Sequence, residues 1–256
     1  MTKPTRATNA RIFSSRRAYE YNADDIRLTL LTTAPVREAI KEAFGFKDEG
    51  ITLAPPTFGD VPTTQPPAIS FNLGTFLTDS SEVVPIRFIN VEQSRIVIDV
   101  ASTSEYLDPI FDQLIGSIEK VPTPKSLRAV GGTPIRRRDY SEATAAYSFE
   151  IAEVLIREFR EALVPAWDKA AYDVAGPELV IVPSLYLQIH APDQPFSGSL
   201  QPGYNTVQFA LRVGTKPSDH VYFSSVFLDS TAHLELIDAI NKRLVATPAR
   251  HRTASG

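Results

Sequence analysis

The chain has 256 residues, 43% hydrophobic and 22% charged, enough for one large or two smaller domains and a core that needs no metal or disulfide. It contains no cysteine, which excludes disulfides, thiolate metal sites and a cysteine nucleophile, and Met1 is its single methionine. The net charge of −4 is uneven: residues 1–17 and 125–138 each carry five basic side chains and no acid, the tail adds Arg250 and Arg252, and about −16 is left for the rest.

The first seventeen residues are polar and lack the apolar core of a signal peptide, so they read as a mobile basic arm. No run approaches the roughly 18–20 apolar residues of a membrane helix. The expectation is a soluble cytoplasmic protein that makes no membrane contact. Ile26 to Thr32 alternates as a strand, and Ala34 to Phe44 reads as a helix with Pro35 in its first turn and Gly45 as its stop. Residues 53–68 hold five prolines and read as an irregular loop. Strands follow at about 69–75, 83–90 and 95–101, the last two forming a hairpin. A helix then carries Leu107, Ile110, Phe111, Leu114, Ile115 and Ile118 along one stripe, with Asp108 as cap and Pro109 in first place.

Residues 121–138 read as a basic Pro/Gly linker, and 141–164 as a long helix with two apolar stripes. Strands are expected at about 179–190, 205–213 and 220–228. The turn at 214–218 pairs Leu211 with Val221 and Phe209 with Phe223, and a helix at about 231–245 closes the chain. Residues 94–122 resemble 220–248 at a constant offset of 126, which sets Ser104 on Ser230 and Pro122 on Pro248. The expected fold class is therefore α+β: two pseudo-repeated halves, each an antiparallel sheet of three to four strands packed with helices. The divisions are a basic arm (1–17), a first half (18–120), a linker (121–138), a second half (139–248) and a tail (249–256).

Phosphate-binding glycine fingerprints, the GxSxG elbow, HExxH and zinc-finger spacings are all missing from the sequence, so it points to no cofactor and no metal. The best polar constellation is the non-core face expected for the second sheet: Tyr186, Gln188 and His190, then Gln208 and Arg212, then His220, Tyr222 and Ser224. Histidine beside arginine and tyrosine suits anion binding or acid–base chemistry; the plainer reading is a solvated sheet face. The fourteen-residue loop from Ala191 to Tyr204 offers Phe196 as a contact residue. Arg136, Arg137 and Arg138 offer the linker a phosphate-binding patch. The missing motifs favour a non-catalytic interaction or assembly protein, a component of a larger intracellular complex working through a protein partner or self-association. The alternatives are a nucleic-acid-associated protein using the arm and linker, and an enzyme or small-ligand binder using the polar face.

Overall fold

The computed structural model describes residues 7–22, 24–52, 68–122, 128–147, 184–188, 206–216 and 219–246. In chain order these form β1 (Thr8–Glu20), α1 (Leu28–Leu31), α2 (Ala34–Phe44), β2 (Asp48–Thr52), β3 (Ala68–Leu77), β4 (Val83–Glu92) and β5 (Arg95–Val100). A 3-10 turn (Ser104–Tyr106) leads into α3 (Leu107–Glu119), followed by β6 (Arg136–Ala146), β7 (Leu185–Gln188), β8 (Thr206–Leu211), β9 (Val221–Val226) and α4 (Ser230–Ala246).

The strands hydrogen-bond in the order β2-β3-β4-β5-β1-β6-β9-β8-β7, one sheet where two were expected. The ladders β1–β5, β2–β3, β3–β4, β4–β5, β7–β8 and β8–β9 are antiparallel. This overturns the picture of two separate sheets, each packed with helices: the fold is mostly β, with four α-helices among the described residues. The cause lies in two segments misread as something other than strand. Residues 8–17 belong to β1 rather than to a mobile arm, and Arg136 to Ala146 is β6 rather than linker followed by helix. The remainder of the expected helix at 141–164 lies outside the described residues, apart from Tyr147.

The chain divides into two compact units. The amino-proximal unit is Phe13–Ser141 with Leu228–Ser230, and the carboxy-proximal unit is Met1–Ile12, Glu142–Phe227 and Thr231–Gly256. In the amino-proximal unit, α2 and α3 cover one face of the strands. Val36, Ile40 and Phe44 of α2 and Leu107, Ile110, Phe111 and Leu114 of α3 join Tyr19, Phe71, Ile89, Ile96 and Ile98 in a single buried cluster. Each such side chain contributes about 1.5–3 kcal/mol by leaving water. Helix α2 matches its expected limits and ends on Gly45 at φ 61°, a left-handed stop that glycine adopts freely. Helix α3 begins at Leu107, one residue before the expected cap, so Pro109 falls in its first turn where its missing N–H breaks no helical bond. Expected strand Ile26–Thr32 is a helical turn instead, and only Ile26 makes a bridge, to Val130.

The carboxy-proximal core is smaller. Ile12, Ala143, Ala145, Tyr147, Phe209, Tyr222 and Ile237 of α4 form it. Tyr147, Phe209 and Tyr222 form an aromatic trio with centroids 5.0–5.7 Å apart, Phe209 stacked on Tyr222 and Tyr147 edge-on to both.

Candidate functional site

The register of β8 against β9 decides what the second polar face contains. Phe209 pairs with Ser224 and Leu211 with Tyr222, one residue away from the expected pairing. A slip of one residue turns every side chain of a strand to its other face. His220, at φ 50° just before β9, marks the turn residue that the expected register lacks, and Arg212 N–H bonds Val221 O across it at 2.9 Å. Tyr222 and Ser224 therefore turn into the core and not onto the expected open face. Tyr222 stacks on Phe209, and Ser224 Oγ lies 2.9 Å from His233 Nε2.

Of the residues expected to converge there, Tyr186 stands opposite Gln208 and Gln188 opposite Thr206 in the ladder. Arg212 is exposed, and His220 is half-buried with its carbonyl accepting Tyr147 N–H at 2.9 Å. His190 and Phe196 lie outside the described residues. No group of three or more histidine, aspartate or glutamate side chains placed to hold a metal occurs among the described residues. No helix among them is long and apolar enough to cross a membrane.

Four basic residues of the expected arm and linker, Arg16, Arg17, Arg137 and Arg138, are drawn into ion pairs. Arg16 grips Asp99 with two nitrogens at 2.7 and 2.8 Å and sits between the rings of Phe88 and Tyr140. Asp99 is fully buried on the strand face opposite α2 and α3, with Ser14 at 3.4 Å and Arg87 at 3.5 Å. On the helix-covered face, Arg17 pairs with Asp108 and Asp139 at 2.8 and 2.6 Å. Tyr19 donates to Asp108 at 2.9 Å, and Arg137 approaches the same carboxylate at 3.4 Å. Burial pushes Asp108 upward, but the Tyr19 hydrogen bond and the Arg17 and Arg137 charges outweigh it and hold the carboxyl below its usual range. Burial first, and then the bond to Asp108, raises the Tyr19 phenol. Arg138 pairs with Glu20 at 2.7 Å, and Arg136 is exposed at the start of β6.

The pair Ser224–His233 has the elements of a nucleophile and base, but both side chains are buried, at 7% and 1% exposure. Burial lowers the His233 pKa to about 4, so it is a neutral imidazole holding a hydroxyl within the core. A base of that kind needs a substrate within reach, and this pair is enclosed.

The open feature of the amino-proximal unit is apolar. Leu77 and Val83 face each other across the β3–β4 ladder at 63% and 58% exposure, while their neighbours Phe76 and Val84 are buried. Thr75 and Pro85, the next exposed pair, continue the strip, and Leu73 is 57% exposed. Phe71 and Gly74 are both buried although three residues apart: Leu73, at φ 58°, breaks the in–out alternation of β3 while the β3–β4 register runs on unshifted past it, and the β4–β5 register shifts at a bulge between Ile86 and Phe88. Gly74 is required because any Cβ there would run into the Phe46 ring. The sequence carries one sign of the strip, the apolar Leu77 and Val83 bracketing a polar turn, but not the break in alternation that exposes Leu73. The chain matches no family model, no curated protein and no solved structure.

Proposed function

We propose that this chain is a non-catalytic interaction or assembly protein, a component of a larger complex. The observation that carries the reading is the strip on which Leu77 and Val83 stand exposed side by side. Scattered single apolar residues are ordinary on a surface, whereas a contiguous group marks a contact site. The phosphate-binding alternative is weakened because Arg16, Arg17, Arg137 and Arg138 each have a carboxylate partner. The small-ligand alternative is weakened because Tyr222 and Ser224 belong to the core. Quantitative affinity purification of the tagged chain and of a Leu77→Lys/Val83→Lys variant tests the reading. The expected result is a partner set held by the unsubstituted chain and lost by the variant, with circular dichroism unchanged. An identical set for both chains overturns it.

A further inference from the structure

The strand order repeats one arrangement. From the middle outward, one side runs β1-β5-β4-β3 and the other β6-β9-β8-β7: in each, the first strand in the chain lies beside the last, and the others follow in reverse. The registers agree as well. Tyr21 N–H donates to Ser94 O at 2.8 Å, and Tyr147 N–H, 126 residues on, donates to His220 O at 2.9 Å, itself 126 beyond Ser94. Strands β5 (95–100) and β9 (221–226) differ by the same number. Further out, Ile98 stands opposite Ile89 and Ile89 opposite Phe71. Ser224, 126 beyond Ile98, stands opposite Phe209, and Phe209 opposite Leu185. Buried Leu107 and Phe111 of α3 correspond to buried His233 and Ile237 of α4. Only the connections differ in length, and β2 has no counterpart among the described residues.

Two unrelated halves have no reason to touch at equivalent residues. Ser104 and Ser230, 126 apart, do so, each donating its backbone N–H to the other's Oγ. Exchanging the halves maps this contact onto itself, the mark of an isologous pairing. Beside it, Ile135 N–H donates to Glu20 O at 2.8 Å, and Arg17 and Arg138 pair with Asp139 and Glu20, joining β1 to β6. All of these contacts lie inside the amino-proximal unit. We propose that the chain is a tandem repeat of one module, residues 8–120 and 134–246, and that the outer edge of a module's first strand is a surface fitted to a second copy of the module. An edge strand carries a row of N–H and C=O groups that need a partner, and here the second copy is supplied from within the chain. The proposal concerns the single sheet and does not rest on the exposed Leu77–Val83 strip.

A protease site placed between Pro124 and Lys125 of the whole chain tests it, with Ser104→Cys as reporter in a sequence that has no cysteine. Cut after folding, the two pieces are expected to stay together in gel filtration and to part in urea. On refolding with oxidised glutathione, first pieces are expected to pair with one another as well as with second pieces. The thiols at position 104 of two first pieces then join in a disulfide, at least about tenfold faster than those of a Ser80→Cys control on the exposed turn. Pieces that separate on cutting overturn the proposal, as do equal rates at the two positions. If the cut pieces do not refold, the halves are transposed, with residues 125–256 followed by 1–124. Seventeen residues then connect Ala246 to Thr8, where sixteen connect Glu119 to Arg136 in the original order. The transposed chain is expected to keep the circular dichroism and the urea midpoint of the original. A transposed chain that does not fold overturns the proposal.

Discussion

Leu73 holds a left-handed backbone conformation that costs a non-glycine residue roughly 1–2 kcal/mol, and its exposed side chain returns little of it. Asparagine tolerates that conformation better. Leu73→Asn is therefore expected to raise the urea midpoint by the equivalent of about 0.5–1 kcal/mol, and an unchanged or lower midpoint would show that the leucine packs more than its exposure indicates. His233 gives a prediction of the opposite kind. Its folded pKa of about 4 lies below the ordinary 6.5, so the unfolded chain takes up the proton first as the pH falls. The stability tied to the neutral imidazole is complete above about pH 6.5 and lost on the way down to about pH 4, at most about 3 kcal/mol. Replacing it by the non-titrating His233→Gln is expected to lower stability at pH 7 but to flatten the slope between those limits. Equilibrium urea unfolding at a series of pH values measures both.

Between elements, the closest linkage is a pair of serines. Ser104 opens the turn that leads into α3 and Ser230 opens α4; Ser104 N–H donates to Ser230 Oγ at 2.5 Å and Ser230 N–H to Ser104 Oγ at 3.0 Å. Ser15 of β1 closes the group, 3.1 Å from Ser230 Oγ. Each serine caps the other's helical segment, so the two are not independent. Ser104→Ala and Ser230→Ala are each expected to lose about 1–2 kcal/mol, and the double variant less than their sum, by a coupling of at least about 0.5 kcal/mol in a double-mutant cycle. Additive losses would mean separate caps. These two residues were matched by the offset of 126 in the sequence, though nothing in that match indicated contact. Helices α2 and α3 and strands β3, β4 and β5 were legible because their apolar spacing is local. Strand β1 was not: Ser14, Ser15 and Arg16 look solvent-facing in a short window, and their partners Arg87, Asp99 and Ser230 stand 73 or more residues away. The second polar face failed for a smaller cause, the single turn residue at His220 that shifts β9 by one. The strip was half legible, since Leu77 and Val83 flank an evident turn, while the break in alternation beside them leaves no periodic trace.

At the scale of the molecule, the amino-proximal unit is discontinuous: it takes in Leu228–Ser230 from far along the chain. Those three residues supply Ser230 to the serine group and the Leu228 carbonyl that accepts Ser141 Oγ at 2.8 Å. A fragment ending at residue 227 is therefore expected to hold this unit in a form that proteases cut readily, while the whole chain resists. Equal resistance would mean the three residues are dispensable. The same arrangement has a meaning in time. On the ribosome, about 90 residues separate the last residue of the unit's main segment from its final three, and at about 5–20 residues per second that is a delay of roughly 5–20 s. For that interval the first-made part of the protein is nearly all present yet unfinished, and a chaperone that holds nascent chains has its longest opportunity there, before Ser230 emerges.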